Sequence, residues 1–110
     1  MNEPYEIQPL RLLGGWTVEF NNFYKCEPDS CSNFAEYFVE DLLRLTNSKY
    51  NIILDLGWYP NGDRKGKYEL CLVKDYKWEN PLEVFETRDI KAVVDKIEYW
   101  TNYGFYQKYL

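Results

Sequence analysis

The sequence predicts an α+β domain: a mostly antiparallel four-stranded sheet with two main helices packed against it, in the order β-α-β-β-β-α. Three observations carry this. Residues 50–60 (YNIILDLGWYP) form a nearly unbroken apolar run rich in β-branched and aromatic side chains, with Thr46, Asn47 and Ser48 before it and Pro60, Asn61 and Gly62 close it, as expected of a strand near the centre of a sheet. Ile90, Val93, Val94, Ile97 and Trp100 fall on one helical stripe behind Asp89, a good N-cap. The connections at 60–66 and 75–81 are short and polar, so the strands they join run antiparallel.

Taken in order, Met1 to Pro9 begins as a loose arm, and Leu10 to Leu13 can tuck into the core. After Gly14 and Gly15, residues Trp16, Val18 and Phe20 alternate with Thr17, Glu19 and Asn21, the pattern of a half-buried first strand. Asn22 to Ser32 clusters Asn, Pro, Asp and Ser without a period and reads as a long loop. Asn33 with Glu36 three residues on resembles a capping box. Phe34, Phe38, Leu42 and Leu45 then recur at helical spacing, predicting a first helix from Phe34 to Leu45 with an i,i+4 pair between Glu40 and Arg44.

In the central strand, Tyr50, Ile52, Leu54, Leu56 and Trp58 share one face, and Asn51, Ile53, Asp55, Gly57 and Tyr59 share the other. The turn 60–66 leads to a third strand in which Tyr68, Leu70 and Leu72 alternate with Glu69, Cys71 and Val73. The turn 75–81 leads to a fourth, Leu82 to Thr87, where Leu82 and Val84 oppose Glu83 and Phe85. The last helix ends near Gly104, and the aromatic tail FYQKYL can dock back onto the body.

A chain of 110 residues supports one domain, residues 1–110, with one core. Its aromatic share of 19%, with eleven tyrosines, is high. Net charge is −5, and all of it lies in residues 1–56, where nine acids face four bases; residues 57–110 hold nine of each. Such a field repels nucleic-acid phosphates and attracts basic partners. No apolar run reaches the roughly 18 residues of a membrane span, and no charged-then-apolar leader opens the chain. Three cysteines, an odd number, point to the cytoplasm with thiols reduced.

Catalytic and metal chemistry find little support. The chain has no histidine, which removes the commonest general base and the His-containing metal sites. Cys26 and Cys31 with Cys71 fall short of the four ligands of structural zinc and read as buried or idle thiols. The glycines fit no phosphate-binding spacing. Asp55 lies in an apolar strand where desolvation can raise its pKa, but a charge partner such as Arg88 on an open sheet face accounts for it without catalysis. Arg64, Lys65 and Lys67 read as a soluble turn more readily than as a nucleic-acid platform. No cofactor, metal or enzymatic activity is therefore expected.

A binding module remains. Glu36, Glu40 and Asp41 on the first helix, Glu27 and Asp29 in the loop before it, and Asp55 supply the acidity, with Tyr24, Tyr37 and Tyr59 as aromatic anchors. The segment from Asp55 to Trp100 adds a resemblance. DLGWYP, a polar turn, YELCLV, then WENPLEVFETR and an amphipathic helix ending in Tyr99-Trp100 resemble the small immunity proteins encoded beside polymorphic bacterial toxins, including those of contact-dependent growth inhibition systems. The resemblance implies a cytoplasmic, acidic, non-enzymatic protein, a monomer or a heterodimer with its toxin. Its partner would be a cognate toxin C-terminal domain, often a nuclease with a basic substrate path. It implies no particular binding residue; those named above come from charge. The alternative from another class is a small nucleic-acid-binding or regulatory protein using an aromatic sheet face.

Overall fold

A computed structural model describes residues 5–110. Along the chain come β1 (Thr17–Asn21), α1 (Phe34–Tyr37), β2 (Leu43–Asn47), β3 (Ile52–Tyr59), β4 (Lys67–Lys74), β5 (Glu83–Thr87), α2 (Ile90–Trp100), α3 (Tyr103–Tyr106) and a 3₁₀ turn at Gln107–Tyr109. The strands lie in sequence order, β1-β2-β3-β4-β5, each antiparallel to the next. The α+β class and the antiparallel sheet agree with expectation. The sheet has five strands rather than four, however, and helices of different number and order.

The discrepancy lies in residues 34–45, where a single helix was expected. The helix lasts only from Phe34 to Tyr37; Phe38 leaves helical geometry, and Asn33 makes no side-chain cap. Leu43 and Leu45 explain why. Two residues apart on a helix they would point about 200° apart, so a helix could bury only one of them. On a strand they share a face, and both are fully buried. Burying a second leucine contributes about 1.5–3 kcal/mol, more than the few tenths per residue that separate helix propensities. The backbone of this stretch pairs instead with β3: Trp58 N–H donates to the Val39 carbonyl and Leu42 N–H to that of Leu56, at 2.9 and 3.0 Å. The expected Glu40–Arg44 helical pair therefore does not form.

One face of the sheet makes the core. Leu43 and Leu45, then Ile52, Leu54, Leu56 and Trp58, then Tyr68, Leu70 and Leu72 are buried there, and Ile90, Val93, Ile97 and Trp100 of α2 join them in one apolar cluster. The face assignments read from strand alternation in β3 and β4 hold. Asp89 caps α2 as expected, accepting from Lys91 N–H at 3.0 Å. The helix stops at Trp100, ahead of Gly104, which lies inside α3. Aromatics supply much of the packing: the Trp58 ring meets Phe34, Phe38 and Tyr68 at centroid distances of 5.4, 4.7 and 5.0 Å. The tail docks back, burying Phe105 and Tyr106 and bringing the Tyr109 hydroxyl to the Glu83 carboxylate.

Three further segments depart from expectation. Met1–Pro4 of the expected loose arm lie outside the described residues, but from Tyr5 onward the arm is tied down. Ile7 bridges Tyr24, and Gln8 N–H donates to the Phe23 carbonyl at 2.8 Å. Strand β1 is a true edge, with Val18 half exposed and a bulge between Val18 and Phe20. Cys26 and Cys31, expected as separate thiols, are joined as a disulfide, and Cys71 is the free cysteine. The disulfide closes the loop that carries Glu27 and Asp29.

Candidate functional site

Among the described residues, the other face of the sheet carries no helix. Register places Arg44 and Thr46 of β2, Ile53, Asp55, Gly57 and Tyr59 of β3, Lys67, Glu69, Cys71 and Val73 of β4, and Val84 and Glu86 of β5 on it. Near its middle, Arg44 Nε donates to Asp55 at 2.8 Å, while the guanidinium lies over the rings of Phe20 and Trp78, 5.4 and 5.0 Å from their centroids. The partner of Asp55 is thus its cross-strand neighbour Arg44. Arg88, expected in that role, lies across the sheet, donating to Asp29 at 2.8 Å and covering the Trp58 ring.

Beside this pair, acids gather around Tyr59. The Tyr59 hydroxyl is pushed up to about 12, by burial first and then by the charges of Asp55, Glu40 and Glu69. Glu69 and Glu86 stand directly opposite each other on β4 and β5. Burial raises the Glu69 carboxyl above its ordinary range, and Glu86 and Asp55 raise it further. Asp55 is raised as well: burial outweighs the hydrogen bond and charge of Arg44, and Asp41 adds to the rise. Cys71 is pushed up to about 12 by burial and then by Asp55 and Glu69, which leaves it a neutral thiol with no nucleophilic character at neutral pH. Of the five acids Glu40, Asp41, Asp55, Glu69 and Glu86, two form ion pairs among the described residues: Asp55 with Arg44 and, at 3.8 Å, Glu86 with Lys67.

Gly57 makes this convergence possible. It is buried on the open face, and a Cβ there would overlap the Glu40 carbonyl oxygen and come within 2.8 Å of the Tyr59 ring. The missing side chain lets residues 39–41 close over β3 and lets the Tyr59 ring lie against the backbone. Asn61 holds the same segment from the far side, its Oδ1 accepting from Glu40 N–H at 2.9 Å.

The residues expected from sequence divide into two groups and a remainder. Glu40, Asp41, Asp55 and Tyr59 act on one another on the open face. Glu27 and Asp29 lie across the sheet: Glu27 lines a cavity of about 380 Å³ with Lys25, Ile90, Lys91 and Val94, and Asp29 pairs with Arg88. Glu36 is exposed on α1, outside the charges acting on Tyr59. Tyr37, expected as an anchor, is buried, with the rings of Tyr5 and Tyr24 each 5.2 Å away and edge-on. Glu69 and Glu86 were missed. Strand alternation already put Glu69 on the face opposite Tyr68 and Leu70, and a symmetric return about residues 60–66 would have set it beside Gly57.

The 380 Å³ cavity and a second of about 370 Å³, lined by Phe85, Ala92, Asp95, Lys96 and Tyr99, both involve α2 and include none of the open-face carboxylates. Among the described residues no group of three or more His, Cys, Asp or Glu side chains could hold a metal ion, and no helix is long and apolar enough to cross a membrane. What the arrangement offers chemically is a negative, aromatic-centred patch on a rigid strand platform. No protein-family model, curated protein or solved structure matches this chain.

Proposed function

We propose that this protein is an immunity protein that binds a basic toxin domain through the open sheet face and blocks its substrate path. The observation that carries this reading is a linked set of acids on that face: Asp55, Glu40 and Glu69 act on Tyr59, Asp41 acts on Asp55, and Glu86 acts on Glu69. A nuclease must attract phosphate, so the path to its active site is positive, and a negative patch can occupy it as a charge mimic. Binding would relieve the mutual repulsion of Glu69 and Glu86, which the chain's own bases leave largely uncompensated. Tyr59, exposed at one edge and packed on Gly57 at the other, would supply a contact of low conformational cost. The cytoplasm is the compartment this reading requires, and the Cys26–Cys31 disulfide removes the reduced-thiol argument for it. In the basic turn, read as a soluble turn rather than a nucleic-acid platform, Arg64 donates to the Cys31 carbonyl at 3.1 Å and covers the Phe34 ring.

The test is co-purification with the product of the adjacent upstream gene, followed by association kinetics at low and physiological salt. A stable one-to-one complex is expected. Reversing Glu40, Asp41 and Glu69 together to lysine should slow association at least about tenfold at low salt, with a smaller effect at high salt. No complex, or a complex whose association rate ignores the triple reversal, overturns the proposal.

A further inference from the structure

The two edges of the sheet are built differently. At β1 the bulge between Val18 and Phe20 disrupts the outer edge for further pairing. At β5 the ladder to β4 is regular from Glu83 to Thr87, and among the described residues no strand pairs with its outer side. This strand contains no proline, lysine or bulge, and its charges are Glu83 and Glu86. Val84 is 53% exposed on the open face. On the other face a groove of about 370 Å³ lies between Phe85 and the flank of α2 formed by Ala92, Asp95, Lys96 and Tyr99, and Tyr99 is exposed.

We infer that β5 is a self-association edge, pairing antiparallel with β5 of a second copy about a two-fold axis at Phe85 to give a continuous ten-stranded sheet. The sequence Glu83-Val84-Phe85-Glu86-Thr87 is self-complementary in this register. Phe85 faces Phe85, Glu83 faces Thr87, and Glu86 faces Val84, so all five residues pair and no acid directly opposes an acid. Centring on Glu86 would set two carboxylates face to face, and centring on Val84 would leave part of each strand unpaired while setting Glu83 against Phe85. The two Phe85 rings would enter the grooves beside α2, where Lys96 already lies 5.0 Å over the ring. Edge pairing extends the sheet without covering either face, so the acidic patch stays accessible. The inference therefore stands independently of the toxin-binding proposal.

Five paired residues and one aromatic contact form an interface at the low end of specific ones, giving a dimer with a Kd of about 10–100 μM. Sedimentation equilibrium of the full chain, from low micromolar to several hundred micromolar, should show a mass rising from 13.3 kDa to twice that. Val84 tests the register, because each substitution there acts twice across the axis. Val84→Glu places an acid against Glu86 of the other copy and should weaken the dimer about tenfold, whereas Val84→Lys places a base there and should leave it as tight or tighter. With its side chain half exposed, Val84 tolerates both changes without loss of the monomer fold, which circular dichroism would verify. A wild-type chain that stays monomeric at the highest concentration, or two variants that change the dimer equally, overturns the inference.

Discussion

Replacing Gly57 with alanine tests how the open face is assembled. The new methyl group would overlap the carbonyl oxygen of Glu40 and lie 2.8 and 3.0 Å from Cε2 and Oη of Tyr59. Tyr59 can swing outward, since its ring is partly exposed, but the Glu40 carbonyl belongs to a backbone fixed on both sides. Trp58 N–H donates to Val39 at 2.9 Å, Leu42 N–H donates to Leu56 at 3.0 Å, and Asn61 holds the Glu40 N–H. Overpacking against backbone costs about 1–3 kcal/mol, and loss of one of these hydrogen bonds would add about 1 kcal/mol. Gly57→Ala should therefore lower unfolding stability by about 2–4 kcal/mol in urea titration. Movement of the ring away from Asp55, Glu40 and Glu69 should also bring the Tyr59 hydroxyl down from about 12, as read from ring-carbon NMR shifts. Gly14→Ala is the internal control, because no atom lies within 4 Å of a Cβ there and its backbone is not left-handed; it should change stability by less than about 1 kcal/mol. A Gly57→Ala protein as stable as the control, with Tyr59 titrating as before, would refute the close approach of residues 39–41 to β3.

Two further outcomes follow from the charges on this face. Arg44→Met keeps an apolar stem of similar length but removes the guanidinium from over Phe20 and Trp78 and leaves Asp55 without its partner, so it should destabilise by about 1.5–3 kcal/mol, and adding Asp55→Asn should recover part of that in a double-mutant cycle. Glu69 has a folded-state pKa above its unfolded one, so the folded state holds its proton longer and the stability linked to it is lost as pH rises through the folded value. Glu69→Gln should then be more stable than wild type at pH 7 by about 0.2–1 kcal/mol, with the difference gone below about pH 4, where the wild-type carboxyl is protonated in both states. Urea titrations across pH would show a pH-independent difference if the Glu69 carboxyl titrated alike in the folded and unfolded states.

Several features were legible in the sequence because they follow from local pattern. The period-two alternation in residues 52–59 and 67–74 set which side chains face the core, and short polar connections set antiparallel returns. Asp89 with its apolar stripe set α2. The imbalance of acids in residues 1–56 signalled a negative surface. Only part of that surface is the open-face patch, since Glu27 and Asp29 lie across the sheet and Glu69 and Glu86 come from the balanced half.

Other features depended on contacts between segments far apart in the chain. Phe34, Phe38, Leu42 and Leu45 fit a helical period, yet Leu43 and Leu45 become a strand because β3 offers a hydrogen-bonding edge and a core face that buries both. Tyr37 reads on paper like any other tyrosine and became core only when Tyr5 and Tyr24 closed on it. Arg44 met Asp55 through strand register rather than helical spacing. By itself the sequence determined the α+β class, the faces of β3 and β4 and the sign of the charge. The tertiary structure decided which acids share a surface, because cross-strand register and the approach permitted by Gly57 bring together residues from four separate stretches of chain.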